Sequence, residues 1–333
     1  MPNLTDLFFA LLRAGLWERD LCLPSAPSVE EWSTLLQTAR EQAVLGLMCR
    51  GIAHLPEEQM PPADLRLRLL ADIDRIERRN KHMEEMQQEL LGRFRAAGLH
   101  PLVQKGSEAG KYYAHPLLRE SGDIDLYFPQ GEFDLARALP PQVRTAPDGS
   151  GVFTFRDVSV ELHPRYFDLH LAETKLPEIP SVYAELVMLS AHILKHAIGA
   201  GVGCKQLCDM AIALDRTDGQ YDKALLEKYL TTAEMLRWQR VLCSLLVFDF
   251  GLDPARCLPD FKPCNPAPLR RIVMEGGAFG LYGKARAKAV RSGKATRKLQ
   301  AASSFLKRLP FSLRVAPRET VATISELVKG NLS

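Results

Sequence analysis

Acidic and apolar residues alternate in a short segment near the middle of the chain, and this alternation limits what the segment can fold into. Residues 122–126 read Gly-Asp-Ile-Asp-Leu. Side chains along a β-strand point alternately to its two faces, so Asp123 and Asp125 would share one face and the apolar residues the other. The pattern predicts a strand with one buried face and a second face whose two carboxylates open onto a water-filled cleft.

An anion site is predicted just before this strand. A short apolar segment leads into Lys105-Gly106-Ser107, and residues 108–114 are typical of a helix. The N–H groups at a helix start lack intrahelical partners, and the positive end of the helix dipole lies behind them. Lys105 and Arg119 are nearby cations suited to phosphate. The alternatives are a solvent-exposed lysine and an arginine that only orders its loop through an ion pair.

A β-hairpin is predicted further along the chain. Residues 152–155 and 158–163 are rich in β-branched and aromatic residues, and two residues separate them. In the second arm, valine and leucine side chains would face one side, whereas Glu161 and His163 would face the other. The hairpin therefore brings a third carboxylate to the sheet.

These carboxylates predict a metal site. Asp123, Asp125 and Glu161 on neighbouring strands would repel each other unless a cation lay among them, and hard divalent ions bind oxygen ligands. The predicted cofactor is therefore Mg²⁺ or Mn²⁺, in an arrangement suited to attack at phosphorus. His163 has three open interpretations: it orients a metal-binding carboxylate, accepts a proton, or is a polar residue at the rim of the sheet.

Several motifs occur in a fixed order and carry a family resemblance. They are Lys105-Gly106-Ser107, then Arg119 with Asp123-Ile124-Asp125-Leu126, then Val160-Glu161-Leu162-His163. They resemble the DNA polymerase beta-like nucleotidyltransferase superfamily, and within it a bacterial nucleotidyltransferase-like family with Lys-Gly, Arg-x-x-x-Asp-Ile-Asp-Leu and Glu-Leu-His motifs. Later segments at residues 192–196, 205–209 and 275–280 are similar to the same family.

The resemblance implies an α+β fold, in which a small mixed nucleotidyltransferase sheet (the polymerase beta-like palm) is flanked by N-terminal and C-terminal helical regions. It implies that Gly106 and Ser107 hold a nucleoside triphosphate, with Asp123 and Asp125 on both metals and Glu161 on the metal nearer the nucleophile. It also implies that the helix carrying His192 and His196 faces the cleft, which makes these two histidines weak site candidates.

The expected domains are an N-terminal helical region (1–71), a catalytic core (72–170), a helical domain that covers the cleft (171–280) and a basic helical tail (281–333). Apolar periodicity predicts helices at residues 4–17, 29–52, 63–97, 182–198, 205–215, 223–231 and 233–250. The apolar stripe of residues 63–97 favours packing on the sheet over a coiled coil.

Composition gives an expected location. Among the 333 residues are seven cysteines, an odd number without a regular framework, which indicates a reducing cytoplasm. No apolar run is long enough to span a bilayer, so the chain is not expected to be transmembrane.

The C-terminal part is strongly basic. Residues 276–318 contain eleven Lys or Arg and no Asp or Glu, so with a net charge of +3 the rest of the chain carries −8. The tract at residues 284–318 is suited to RNA or an anionic surface, although a solvated basic helix is an equal alternative. It has few aromatic residues for base stacking, which favours a saccharide or another small molecule as the unidentified acceptor.

Three functions are compatible with these observations. The first is an enzyme that transfers a nucleoside monophosphate from a triphosphate to an acceptor hydroxyl or phosphate and releases pyrophosphate. The second is a nucleotidyltransferase-like protein that binds nucleotide or RNA without turnover. The third is a phosphotransferase that uses the same metals. All three carboxylates are present, which favours the first.

Overall fold

The chain forms two compact units that differ in architecture. The computed structural model describes residues 3–332 apart from residues 130, 147, 168, 177–178, 180, 200 and 277–293. One unit comprises Leu70–Tyr166, and the other comprises Met1–Leu69 together with Phe167–Ser333. The described residues contain α-helices and one mixed five-stranded sheet, so the predicted α+β class is confirmed.

The sheet lies in the unit Leu70–Tyr166 and has the strand order β1-β2-β5-β4-β3. Its strands are β1 (Leu102–Val103), β2 (Ile124–Tyr127), β3 (Arg144–Thr145), β4 (Gly151–Phe155) and β5 (Val158–His163). Strand β2 pairs antiparallel with β1 and parallel with β5, whereas β5, β4 and β3 form an antiparallel series. The sheet is therefore mixed, and its one parallel pair joins the two strands that carry the predicted acidic residues.

The long helix α4 (Ala63–Ala96) packs on this sheet, as its apolar stripe predicts. Helices α5 (Gly106–Gly110) and α6 (Phe133–Ala138) complete the unit. The rings of Phe94 on α4 and Phe128 after β2 meet edge to face, with centroids 4.9 Å apart. Ile124, Leu126 and Phe128 are buried in this core, so the apolar face of the alternating segment points into the core, as predicted.

The described residues of the other unit form helices and their connections, without a strand. Its helices are α1 (Leu4–Trp17), α2 (Val29–Glu41), α3 (Leu45–Ala53), α7 (His170–Lys175), α8 (Ser181–Ile198), α9 (Cys204–Arg216), α10 (Lys223–Thr232), α11 (Leu236–Phe250), α12 (Ala267–Gly276), α13 (Lys294–Val315) and α14 (Pro317–Leu332). Short 3₁₀ turns lie at Glu57–Gln59, Pro116–Leu118 and Pro254–Arg256, the second of them in the unit with the sheet.

Two glycines allow α1 and α3 to cross at close range. A Cβ atom on Gly15 would overlap the carbonyl oxygen of Leu47, and one on Gly51 would overlap that of Leu11. Backbone therefore contacts backbone at this crossing, and only glycine fits at either position.

Three predicted helices have different bounds in the structure. The helix predicted at 29–52 is broken, because Ala43 has a left-handed backbone with φ of 53°. The helix predicted at 233–250 begins only at Leu236, after a turn in which Glu234 has φ of 59°. The helix predicted at 108–114 is instead α5 at Gly106–Gly110, and the chain continues in turns towards Pro116.

Among the described residues, no helix combines the length and the apolar character that a membrane crossing requires. All seven cysteines are free thiols, and Cys204, Cys208, Cys243 and Cys257 are buried. Burial raises the pKa of the Cys204 thiol, so this group is protonated at neutral pH.

Candidate active site

The parallel pairing of β2 and β5 places two predicted metal ligands side by side. Asp125 lies directly opposite Glu161, and Tyr127 lies opposite His163. Because residues two positions apart on a strand share a face, Asp125, Glu161 and His163 project from one side of the sheet. The register thus assembles the polar cluster, while Val160 and Leu162 point into the core.

Asp125 is the centre of this cluster. Its Oδ1 lies 2.6 Å from Nε2 of His163 and 3.3 Å from Nζ of Lys105. The side chains of Asp125, Lys105 and His163 are 9%, 9% and 3% exposed. The prediction that Asp125 faces a water-filled cleft is therefore wrong, and so is the alternative of a solvent-exposed Lys105. The buried Asp125 carboxylate and Lys105 ammonium compensate each other's charge.

Glu161 is half-buried, and its pKa is raised. Burial is the largest cause, since it disfavours the charged carboxylate, and the neighbouring Asp125 adds to the rise. The nearby His163 and Lys105 act in the opposite direction. A cation placed between Glu161 and Asp125 would relieve the repulsion between their charges.

The donor set fits a single metal ion. Asp125, Glu161 and His163 each offer one ligand atom, and these atoms lie within 4.8 Å of one another. Among the described residues, this is the one group of three or more acidic, histidine or cysteine side chains close enough to share an ion, and Asp123 does not belong to it. Asp123 is half-buried and lies one residue before β2.

The Lys105-Gly106 turn is strained, which is a frequent property of binding sites. Lys105 has φ of 55° and ψ of −113°, a backbone conformation that costs a residue with a side chain on the order of 1–3 kcal/mol. The turn directs the lysine ammonium to the carboxylate cluster, and α5 begins at the next residue, Gly106. Ser107 lies in the first turn of that helix.

The guanidinium group of Arg119 lies against Gly106. A Cβ atom on Gly106 would come within 3.2 Å of Nη1 of Arg119, so the absence of a side chain lets the guanidinium approach the backbone. Arg119 is buried, and its Nη1 is 3.4 Å from both the Glu120 carbonyl and Oγ of Ser121. Lys105, Gly106 and Arg119 therefore place two cations beside one helix start.

Two residues of this site were not predicted from the sequence. Asn80 on α4 donates from Nδ2 to the carbonyl oxygens of Leu117 and Arg119, at 2.6 and 2.9 Å. Oγ of Ser150 lies 3.4 Å from Nδ1 of His163. Asn80 belongs to no motif, and Ser150 precedes the hairpin, so only their contacts reveal that they position Arg119 and His163.

The other predicted site residues lie in the helical unit. His192 and His196 are on one face of α8, and their rings meet edge to face with centroids 4.4 Å apart. Part of the motif at 275–280 lies outside the described residues. The same is true of four basic residues of the tract at 284–318, namely Lys284, Arg286, Lys288 and Arg291. Lys307, Arg314 and Arg318 are exposed. Arg308 is half-buried and donates to the carbonyl oxygen of Gly199 at 2.6 Å, so it has a structural role.

Comparison with known proteins agrees with the resemblance found in the motifs. Residues 28–180 match the model of a family described as "Uncharacterised nucleotidyltransferase". This match supports the interpretation of the chain as a nucleotidyltransferase. The matched residues include β1 to β5, α5 and every residue of the cluster around Asp125. No match was found among curated proteins or among solved structures.

Proposed function

We propose that this protein is a metal-dependent nucleotidyltransferase, which transfers a nucleoside monophosphate from a triphosphate to an acceptor and releases pyrophosphate. The observation that carries the proposal is the pairing of Asp125 with Glu161, beside the Lys105-Gly106 turn and within the matched region. In this proposal the sheet of the unit Leu70–Tyr166 is a polymerase beta-like palm.

Asp125 and Glu161 would hold the cation, with His163 beside them. Asp123, one residue before β2, is the candidate for a further carboxylate if two ions bind. When bound, divalent metal supplies Lewis-acid stabilisation of the phosphate charge and lowers the pKa of a coordinated hydroxyl. The two carboxylates fit this role because they are adjacent and only partly compensated by Lys105.

The triphosphate would bind at the Lys105-Gly106 turn. Arg119 lies against Gly106 because this residue has no side chain, and its guanidinium can donate two parallel hydrogen bonds to a phosphate. Ser107 follows in the first turn of α5. The buried position of Arg119 means that it would bind an anion with little competition from water.

Glu161 has a distinct role in the proposal. Strand β2, which carries Asp125, lies between β1 and β5, so Glu161 is on the side of Asp125 away from β1. Burial raises the pKa of Glu161, and a bound cation would stabilise its charged form. We assign it to the acceptor side of the reaction, where removal of its charge would stop turnover and leave the triphosphate contacts in place. The acceptor is proposed to be a saccharide or another small molecule, and RNA bound through residues 284–318 is the alternative.

The proposal is tested with triphosphates labelled at either the α- or the γ-phosphate. Purified protein is incubated with Mn²⁺ or Mg²⁺, a panel of saccharides and RNA, and the products are separated. We expect the α-label in the acceptor and the γ-label in pyrophosphate, with loss of both products in Glu161→Gln. Ser159→Ala, which changes an exposed residue of the same strand, is the matched control and should behave like the parent.

Two results would contradict the proposal. Transfer of the γ-label to the acceptor would identify a phosphotransferase. Binding of the triphosphate without either product, in the presence of every acceptor tested, would favour a nucleotide-binding protein without turnover.

A further inference from the structure

His163 has the surroundings of a metal-binding histidine. Its side chain is 3% exposed and its Nε2 faces Oδ1 of Asp125 at 2.6 Å and Oε2 of Glu161 at 3.8 Å. Its other ring nitrogen, Nδ1, lies 3.4 Å from Oγ of Ser150. A histidine that ligates a metal through one nitrogen commonly holds a protein oxygen with the other, which fixes the orientation of its ring.

The carboxylates of this cluster are weaker ligands for Mg²⁺ than their number indicates. Mg²⁺ binds oxygen ligands in near-ideal octahedral geometry and loses water reluctantly. Lys105 Nζ contacts the same Asp125 oxygen at 3.3 Å, so part of the negative charge is already compensated. Asp123, which would add charge and oxygen, is outside the group that can share one ion.

We propose that His163 is a direct metal ligand through Nε2 and that it makes this site select a first-row transition-metal dication, such as Mn²⁺ or Co²⁺, over Mg²⁺. This inference rests on the proposed metal dependence and names the ion and the residue that selects it. An imidazole nitrogen binds transition metals well and Mg²⁺ poorly.

Ligation through Nε2 requires one tautomer of the ring. In the structure Nε2 lies 2.6 Å from Oδ1 of Asp125 and 3.2 Å from the Lys105 ammonium, so a metal ion there would take the place of that ammonium. With metal bound, the neutral ring would carry its proton on Nδ1 and donate it to Oγ of Ser150, which would leave the Nε2 lone pair for the ion. Ser150 is thus a positioning residue, because it stabilises the tautomer that binds metal.

The first test measures affinities without nucleotide. Mn²⁺ and Mg²⁺ are titrated into the parent, His163→Gln, Ser150→Ala and the control His82→Gln, which changes an exposed histidine of the same unit that contacts Asp157. We expect His163→Gln to weaken Mn²⁺ binding by about tenfold or more, Ser150→Ala to weaken it less, and the Mg²⁺ affinity to change little. His82→Gln should match the parent.

The second test needs no variant. Co²⁺ bound to the parent should give a paramagnetically shifted proton resonance from the imidazole Nδ1–H, and this resonance should disappear in D₂O. Its absence, or equal losses of Mn²⁺ and Mg²⁺ affinity in His163→Gln, would overturn the role of His163 while leaving a metal site in place. Failure of the parent to bind any divalent ion would instead overturn the proposed function as well.

Discussion

Asp125 and Glu161 lie directly opposite each other on the parallel strands β2 and β5. Two neighbouring carboxylates repel each other when both are charged. Asp125 contacts the Lys105 ammonium and the His163 ring, whereas the pKa of Glu161 is raised. The two carboxylates of the resting site are therefore only partly compensated by Lys105, and each member of the cluster has a measurable consequence for stability as well as for ligand binding.

Removal of the Asp125 charge should destabilise the protein through Lys105. Asp125→Asn leaves a buried ammonium without its carboxylate, and breaking a buried ion pair typically costs about 3–5 kcal/mol. Urea unfolding of Asp125→Asn, Lys105→Met and the double variant forms a cycle. We expect the double variant to recover part of the lost stability and to remain unable to bind divalent metal. Equal stability of Asp125→Asn and the parent would show that the pair is not coupled.

Glu161→Gln should stabilise the metal-free protein at neutral pH. The folded-state pKa of Glu161 is raised, chiefly by burial, so its contribution to stability is present below its unfolded pKa and is lost as the pH rises through the folded value. The advantage of Glu161→Gln should therefore be largest at neutral pH and should shrink as the solution is acidified. Thermal unfolding from about pH 4 to pH 8 measures this trend. A constant difference between the two proteins would contradict it.

Gly106→Val should weaken triphosphate binding much more than Gly110→Ala. A Cβ atom at Gly106 comes within 3.2 Å of Nη1 of Arg119, whereas one at Gly110 comes within 3.7 Å of Cδ of the same arginine, which is ordinary contact. Loss of a hydrogen bond from a charged donor costs on the order of 1.5–3 kcal/mol, so affinity should fall about tenfold or more. Calorimetric titration of the two variants distinguishes them. Equal affinities would remove Gly106 from the phosphate site.

The α1–α3 crossing should not tolerate a methyl group. Gly15→Ala or Gly51→Ala forces backbone atoms apart, and overpacking of this kind typically costs about 1–3 kcal/mol. Gly92→Ala is the matched control, because Gly92 is exposed and, apart from the adjacent backbone of α4, no atom lies within 4 Å of the added Cβ. It should stabilise the protein by roughly 0.4–1 kcal/mol. Chemical denaturation measures the free energy of unfolding of the three variants, which should fall in Gly15→Ala and Gly51→Ala and rise in Gly92→Ala.

The sequence predicts the local parts of the site well. Strand β2 follows from the alternation of acidic and apolar residues, and the β4–β5 hairpin follows from its two-residue turn. In both cases the sequence pattern and the structure that it predicts lie within ten residues of each other. The apolar stripe of α4 likewise predicts its packing on the sheet. These features are local consequences of which face each side chain occupies.

Long-range contacts explain what the sequence does not predict. Lys105 is buried because it meets Asp125 and His163, which lie 20 and 58 positions further along the chain. The break between α2 and α3 has no glycine or proline signal. Instead, the buried Gln42 side chain donates to Val273 O at 3.0 Å and accepts from Cys204 N at 2.9 Å, and these contacts fix the chain direction there.

The most direct measurement is a crystal structure with Mn²⁺ and a non-hydrolysable nucleoside triphosphate, with anomalous scattering to locate the metal. We predict an anomalous peak within about 2.0–2.3 Å of Asp125 and Glu161 oxygens and of His163 Nε2, with the triphosphate against Gly106 and Arg119. A nucleotide bound elsewhere, or a metal that contacts neither carboxylate, would contradict the proposed site.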